Sequence, residues 1–415
     1  MGRQMDASRV ARSRGAPFLA HLFSLVVALS GVPATAAPPE AAEDLIAVVE
    51  DAERPVGVTK TAVQALGDRG DPRAVPVLVK LLYQDRQGRT LAPEAALALF
   101  QIGRPSADAL LRVVQRKDPE LFAWASANHV TEAWLLSQAA DVLADLGEPR
   151  AQAPLLELLR FEDPNDSVRA LVIQRRAANA LGRLRSQAAV APVASQVSVS
   201  DLQARHEFVR ALILIGGRGG LAALGRAASE GAWEIRKIAM DGFTMLGDDR
   251  EQGAYKKMLE YEEEVITSDC RAHPNYQGCD DQPALLNRML SGIRAYSLRL
   301  ESAARCKQNL GCWTERLKDA DPGVRQRAVL ELSRRATVKQ LDPLIAALGD
   351  ADPTVRFAAV QSLERLLMTG AAARTEGKRH LAALEARLAQ DQDTVAGARF
   401  NAPLRRIIWR IRSAR

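Results

Sequence analysis

The sequence predicts an all-α protein, a right-handed solenoid of stacked helical pairs. Three observations predict it. An apolar skeleton recurs along the chain at a near-constant period, and such a repeat decides the fold before any local reading does. Each copy is followed by a turn and a second amphipathic stretch. Of the 415 residues 47% are apolar, enough surface to bury and too much for a disordered chain.

The clearest copies are DADPGVRQRAVLEL from Asp319 and DADPTVRFAAVQSL from Asp350, which align without a gap at an offset of 31. Their common pattern, apolar-x-x-x-Ala-x-x-x-Leu, recurs at Val58/Ala62/Leu66, Leu91/Ala95/Leu99, Leu135/Ala139/Leu143 and Ile173/Ala177/Leu181. It continues at Ile235/Ala239/Phe243, with a weaker copy at Ala204/Phe208/Leu212. From Leu66 the anchor spacings are 33, 44, 38, 31 and 31, then 89 to Leu332 and 31 to Leu363. Apolar residues at i, i+4 and i+8 form one stripe on one helix face, and the central Ala lets a neighbouring helix come close. Asp321 and Asp352 each precede a Pro, which suits an N-cap followed by Pro at the first helical position. Two helices in about 31 residues cannot hide both apolar faces alone, so the units must stack.

Taken in order, residues 1–36 read as a cleavable signal peptide. Arg3, Arg9, Arg12 and Arg14 precede an apolar run from Phe18 to Val32, and Ala34-Thr35-Ala36 completes an A-x-A site. The apolar run is short for a membrane span, although an uncleaved anchor is the alternative. Residues 37–43 read as a short mature leader, and 44–260 as repeats. Residues 261–312 form an insertion that carries all four cysteines, Cys270, Cys279, Cys306 and Cys312. Residues 313–415 return to the repeat and end in a basic capping helix.

These repeat residues resemble HEAT repeats, in particular the short kind similar to phycobilisome-lyase repeats, and the resemblance runs over roughly 45–370 with one interruption. In that family the Asp and Arg of the Asp-Pro-x-Val-Arg segment commonly form a buried polar ladder. The resemblance therefore implies ladder roles for Asp321, Arg325, Asp352 and Arg356. Thr59, Ala92 and Leu136 depart from the pattern, so the ladder is expected to be interrupted. Cys306 to Trp313, leading into a repeat, also resembles exported bacterial HEAT-repeat proteins, and 46 Arg against 10 Lys fits a GC-rich bacterial source.

An even cysteine count in an exported chain favours two disulfides over free thiols. Three pairings are open; the loop-forming residues between the members favour Cys270–Cys279 and Cys306–Cys312. The alternative is a metal-binding or enzymatic loop at 270–281, where Cys270, His273, Cys279 and Asp280 offer ligands, but this is not a familiar zinc spacing. No metal or other cofactor is expected. Only five His occur, and His206-Glu207 is the one His-Glu pair, whereas a HEAT-repeat di-iron site needs several. Gly216–Gly220 lacks the Lys-Ser/Thr of a phosphate loop, and neither G-x-S-x-G nor HExxH occurs. No catalytic residue is assigned and no enzyme activity is predicted.

The formal charge of +6 contains four Arg and one acid from residues 1–36, leaving +3. Five more Arg lie in 404–415, so the remaining body is nearly neutral. With aromatics at 5%, no nucleic-acid partner is expected. The predicted function is a protein-protein interaction scaffold of the cell envelope, periplasmic or secreted. Candidate contacts are Trp124 and Trp134, in the segment that lengthens one repeat to 44, and Gln326, Arg327, Glu331 and Phe357, expected to face outward. The tail places Leu404, Ile407, Ile408 and Ile411 at helical spacing. Arg405, Arg406, Trp409, Arg410 and Arg412 fill positions between them, a pattern that also suits an anionic membrane surface.

Overall fold

The computed structural model describes residues 41–414 apart from 164, 198–200, 335–336, 370 and 391–394. The expected signal peptide and most of the leader lie outside the described residues. The first helix is Ala42–Glu50, starting two residues before the expected repeat boundary, with Ala42 and Leu45 buried. Apart from the two-residue strands Asp85–Arg86 and Arg89–Thr90, the regular structure among the described residues is helical.

The helices form two rows. One row contains the repeat anchors and runs Val56–Arg69, Ala92–Ile102, Glu132–Leu146, Ser167–Arg183, Leu202–Ile215 and Trp233–Leu246. It continues through Ser297–Cys306, Pro322–Arg334, Pro353–Thr369 and Val395–Arg412, each helix packed on the next. Val395–Arg412 also packs on Ala92–Ile102, so this inner row closes on itself. An outer row begins Ala42–Glu50, Val75–Leu81, Arg104–Val114, Gln152–Leu159, Val190–Gln196 and Gly217–Ala227.

Local chemistry explains the repeat. Helices end at Gly70 and Gly147, whose φ angles of 65° and 69° lie in the left-handed region that favours glycine. Each is followed by an acid and a Pro; Asp71 accepts a hydrogen bond from the Arg73 N–H, and Glu148 one from the Arg150 N–H, starting the outer helix. The anchors Leu66, Leu99, Leu143, Leu181, Leu212, Leu332 and Leu363 are fully buried, and their companions Ala95, Ala139, Ala239 and Ala328 have no exposed surface. Asp321 caps its helix by accepting from the Val324 N–H at 2.9 Å, and Asp352 accepts from the Thr354 N–H at 2.7 Å.

The polar ladder forms with a different acid. Arg325 donates two hydrogen bonds, at 2.8 and 2.9 Å, to Asp350 of the next repeat, while Asp321 and Asp352 are committed to capping. Arg356 donates to the carbonyls of Asp350 and Ala351 at 2.8 Å.

The insertion is a helical hairpin of Gln252–Ala272 and Gln282–Arg294. A Cys270–Cys279 disulfide closes its turn, and a Cys306–Cys312 disulfide ties Ser297–Cys306 to Leu310–Arg316. The Cα separations are 5.2 and 5.3 Å, within the usual span of such bonds. In this form the two sulfurs considered as metal ligands are bonded to each other, and His273 stacks on Tyr276 with centroids 4.5 Å apart.

Candidate binding sites on the solenoid

The buried hydrophobic side chains form two clusters, one ending near Leu300 and the other beginning at Ala303. The seam between them is polar. Arg327, expected to face outward, is 2% exposed, and so is its expected outward companion Glu331 at 3%. They pair at 2.8 Å, and Arg327 also donates to the Thr244 carbonyl at 2.8 Å, 83 positions away. Burial pushes Arg327 down to about 10 against the pull of Glu331. Beside them Arg299 reaches Asp241 and lies over Tyr296, while a Cβ at Gly323 would meet the Arg299 guanidinium at 2.6 Å. Both are buried by Ser297–Cys306, which packs on both Trp233–Leu246 and Pro322–Arg334 and covers the face a strictly periodic stack would leave open. Gln326 is half-buried, and Phe357 is 43% exposed.

The C-terminal helix also departs from the expectation of a free basic surface. Arg406 is 8% exposed and bridges Asp145 at 2.8 Å and Glu364, on two different helices. Trp409 meets Phe100 edge to face with centroids 5.5 Å apart, and the Arg410 guanidinium lies 4.6 Å from the centroid of the same ring. Arg405 approaches Glu94, and Arg412 pairs with Glu385 at the exposed end. Leu404, Ile407, Ile408 and Ile411 are buried, so both the apolar stripe and most of the basic stripe are used within the chain. A helix so engaged caps and clasps the early repeats; of Arg405, Arg406, Trp409, Arg410 and Arg412, anticipated for an anionic surface, Arg406 is buried and Arg412 stays exposed.

The position two residues after each anchor escaped the repeat-based reading, yet it lines the inner row. Neighbouring repeats complement each other there: Gln101 donates to Asp68 at 2.9 Å, and Arg183 pairs with Asp145. At Arg334 and Arg365 the same position is like-charged in consecutive repeats. Arg334 is held by Glu331 at 2.6 Å, and Arg365 donates to the Ser333 hydroxyl at 3.3 Å. Burial, with Arg185 and Arg334 nearby, pushes Arg365 down to about 9. Counting two residues past each anchor would have found this series.

On the outer row the lengthened repeat has a structural consequence. Its extra residues build the helix Pro119–Ala127, which walls a groove of about 540 Å³ against Val75–Leu81 and Arg104–Val114. Val75, Val79 and Val113 floor it, Pro72, Pro76, Pro105 and Pro119 stiffen its sides, and Arg112, Lys117 and Glu120 lie on the rim. The half-buried Trp124 stands beside it, with the Lys80 ammonium 5.9 Å from its ring centroid. Trp134, ten residues on, is 54% exposed.

Two repeat descriptions match this chain: HEAT repeats over residues 42–130 and 313–400, and the PBS lyase HEAT-like repeat over 135–161. No curated protein sequence matches it. Among solved structures, the complex of CpcE and CpcF of phycocyanin lyase from Nostoc sp. PCC7120 is 15% identical at a TM-score of 0.30, covering 64% of this chain and 99% of that one. Importin beta is 14% identical at a TM-score of 0.36, over 88% of this chain and 50% of that one. Human deoxyhypusine hydroxylase is 14% identical at 0.26, over 78% and 95%. The closed inner row, the anchor spacing and the matched repeats together make the chain an α-solenoid that contains HEAT repeats over 42–130 and 313–400 and a PBS lyase HEAT-like repeat over 135–161.

Proposed function

We propose that this chain is an exported, non-catalytic scaffold of the cell envelope that holds an extended segment of a protein partner in the groove walled by Pro119–Ala127. The groove carries the reading: an apolar floor within a charged rim is the anatomy of a protein interface. Repeats suit such a role because stacking them extends a continuous surface beyond the reach of one compact core. The paired cysteines fit an oxidising compartment, where disulfides persist.

The test places a photocrosslinking residue at Arg112 or Glu120 on the rim and, as a control, at Lys256 on the distant insertion, in the protein's own envelope fraction. A discrete protein adduct from both rim positions, absent from Lys256 and lost when Ala109→Arg fills the groove, is the expected result. Identical labelling from all three positions, or adducts that persist in the filled groove, would overturn the reading.

A further inference from the structure

Where the C-terminal helix returns to the early repeats, it leaves a cleft of about 460 Å³. One wall is the turn from Ala92–Ile102 into Arg104–Val114, together with Leu146; the other is Trp409 and Arg410. Its charge is lopsided. Three arginines, Arg104, Arg150 and Arg410, line it against one carboxylate, Glu148. Arg150 is already engaged, by Glu148 and by Asp108, each at 2.8 Å. Among the described residues neither Arg104 nor Arg410 forms an ion pair. The Arg410 Nε is buried without a hydrogen-bond partner, although its guanidinium rests on Phe100. Burial, reinforced by Arg406 and Arg374, pushes Arg410 down to about 10 against the pull of Glu364, so an anion placed beside it would further favour the charged form. The helix that begins at Arg104 has Gly103 before it and no side-chain cap, which leaves its positive end open beside the same arginine.

We propose that this cleft binds a small organic oxyanion, its carboxylate or phosphate group between Arg104 and Arg410 and its apolar body against Trp409, Ala107 and Leu146. A cavity of this size suits a compact ligand, and a guanidinium presents paired donors that match either oxyanion. The two arginines belong to opposite ends of the chain. A bound oxyanion therefore joins the C-terminal helix to the early repeats and strengthens the closure of the inner row. A bilayer cannot enter such a cleft, so this chemistry differs from that of a membrane-surface helix.

Calorimetric titration of the full chain with phenyl phosphate, benzoate, inorganic phosphate and benzyl alcohol tests this. Phenyl phosphate, benzoate or both are expected to bind one per chain, inorganic phosphate more weakly, and benzyl alcohol not at all. The tighter of the two aromatic anions identifies the preferred oxyanion. Arg104→Gln and Arg410→Gln should each weaken binding by about tenfold or more, the scale of one charge-assisted hydrogen bond, while Arg112→Gln in the outer groove should leave it unchanged. Arg104 is exposed and forms no ion pair among the described residues, although its charge is felt by Glu148, so R104Q tests the site without disturbing the fold even if R410Q loosens the helix. Bound anion should also slow hydrogen exchange in the peptide spanning 395–412. No binding by either aromatic anion, wild-type affinity in R104Q, or unchanged exchange in that peptide would overturn the proposal.

Discussion

The Arg406 guanidinium donates to the Asp145 carboxylate at 2.8 Å across 261 positions of sequence, and on its other side it holds Glu364. One side chain thus ties the third repeat anchor region, the last full repeat and the terminal helix together. All three partners are largely shielded from water, with side-chain exposures of 10, 13 and 14%. In such a setting the cost of breaking the group exceeds its net worth, because the surviving charges stay buried.

Replacing Arg406 by Met should therefore destabilise the protein by about 3 kcal/mol, the lower end for an orphaned buried charge. Urea unfolding followed by circular dichroism would measure it. Removal of residues 400–415 should cost more, since Leu404, Ile407 and Ile411 leave the core as well. Wild-type stability in R406M would show that the clasp is decorative.

At the polar seam, Glu331→Leu should be strongly destabilising, by about 3–5 kcal/mol, because it takes the carboxylate from the buried Arg327, whereas Arg327→Met should cost less, because Glu331 keeps Arg334. The double variant R327M/E331L should recover part of the Glu331→Leu loss, since Arg334 still loses its carboxylate. A double-mutant cycle provides the measurement. Simple additivity of the two losses would mean that the residues do not act as a pair.

The two disulfides close short loops, with sequence separations of 9 and 6. In the chain-entropy picture each contributes about 2–3 kcal/mol. Denatured, unreduced protein should show no free thiol, and reduction should lower the melting temperature. Cys270→Ser/Cys279→Ser should perturb exchange chiefly at the hairpin tip, leaving the repeats on either side protected. Two titratable thiols in the unreduced protein would exclude one of the bonds.

Several carboxylates are held below their usual range. Hydrogen bonds from Arg73 bring Asp71 to about 2, while at Asp350 burial pushes upward but the bonds from Arg325 prevail and lower it. A depressed folded-state value means that the unfolded chain binds protons first as pH falls. Their contribution is complete above the unfolded value near 3.8 and is lost as pH drops through the folded one. The urea midpoint should fall steeply between about pH 4 and pH 2, less steeply in Asp350→Asn. Asp141, raised by burial against the pull of Arg183, works in the opposite sense and blunts the effect. An identical acid profile in D350N would remove Asp350 from this account.

The repeat was legible because each anchor must be buried whatever its neighbours do. Leu66, Leu143 and Leu363 stand where the pattern placed them, and the same logic located the turns and the Asp321 and Asp352 caps. Arg327 and Glu331 misled because periodicity describes one helix against its neighbours in a regular stack, and Ser297–Cys306 supplies an additional neighbour. Trp124 was visible as part of an aromatic segment, but not as the edge of a groove, which needs two other helices.

The helical pairs and their stacking were legible in the residues alone. These follow from contacts between residues close in the chain or one repeat apart, and a period of about 31 records them directly. The folded chain alone shows that the inner row closes, that Arg406 meets Asp145, and that Arg104 and Arg410 line one cleft. Curvature accumulates from small rotations at every repeat interface, so no single segment encodes where the last helix lands. The five C-terminal arginines looked alike in the sequence; what that landing brought beside each of the four described ones, a carboxylate or only an aromatic ring, gave them different roles.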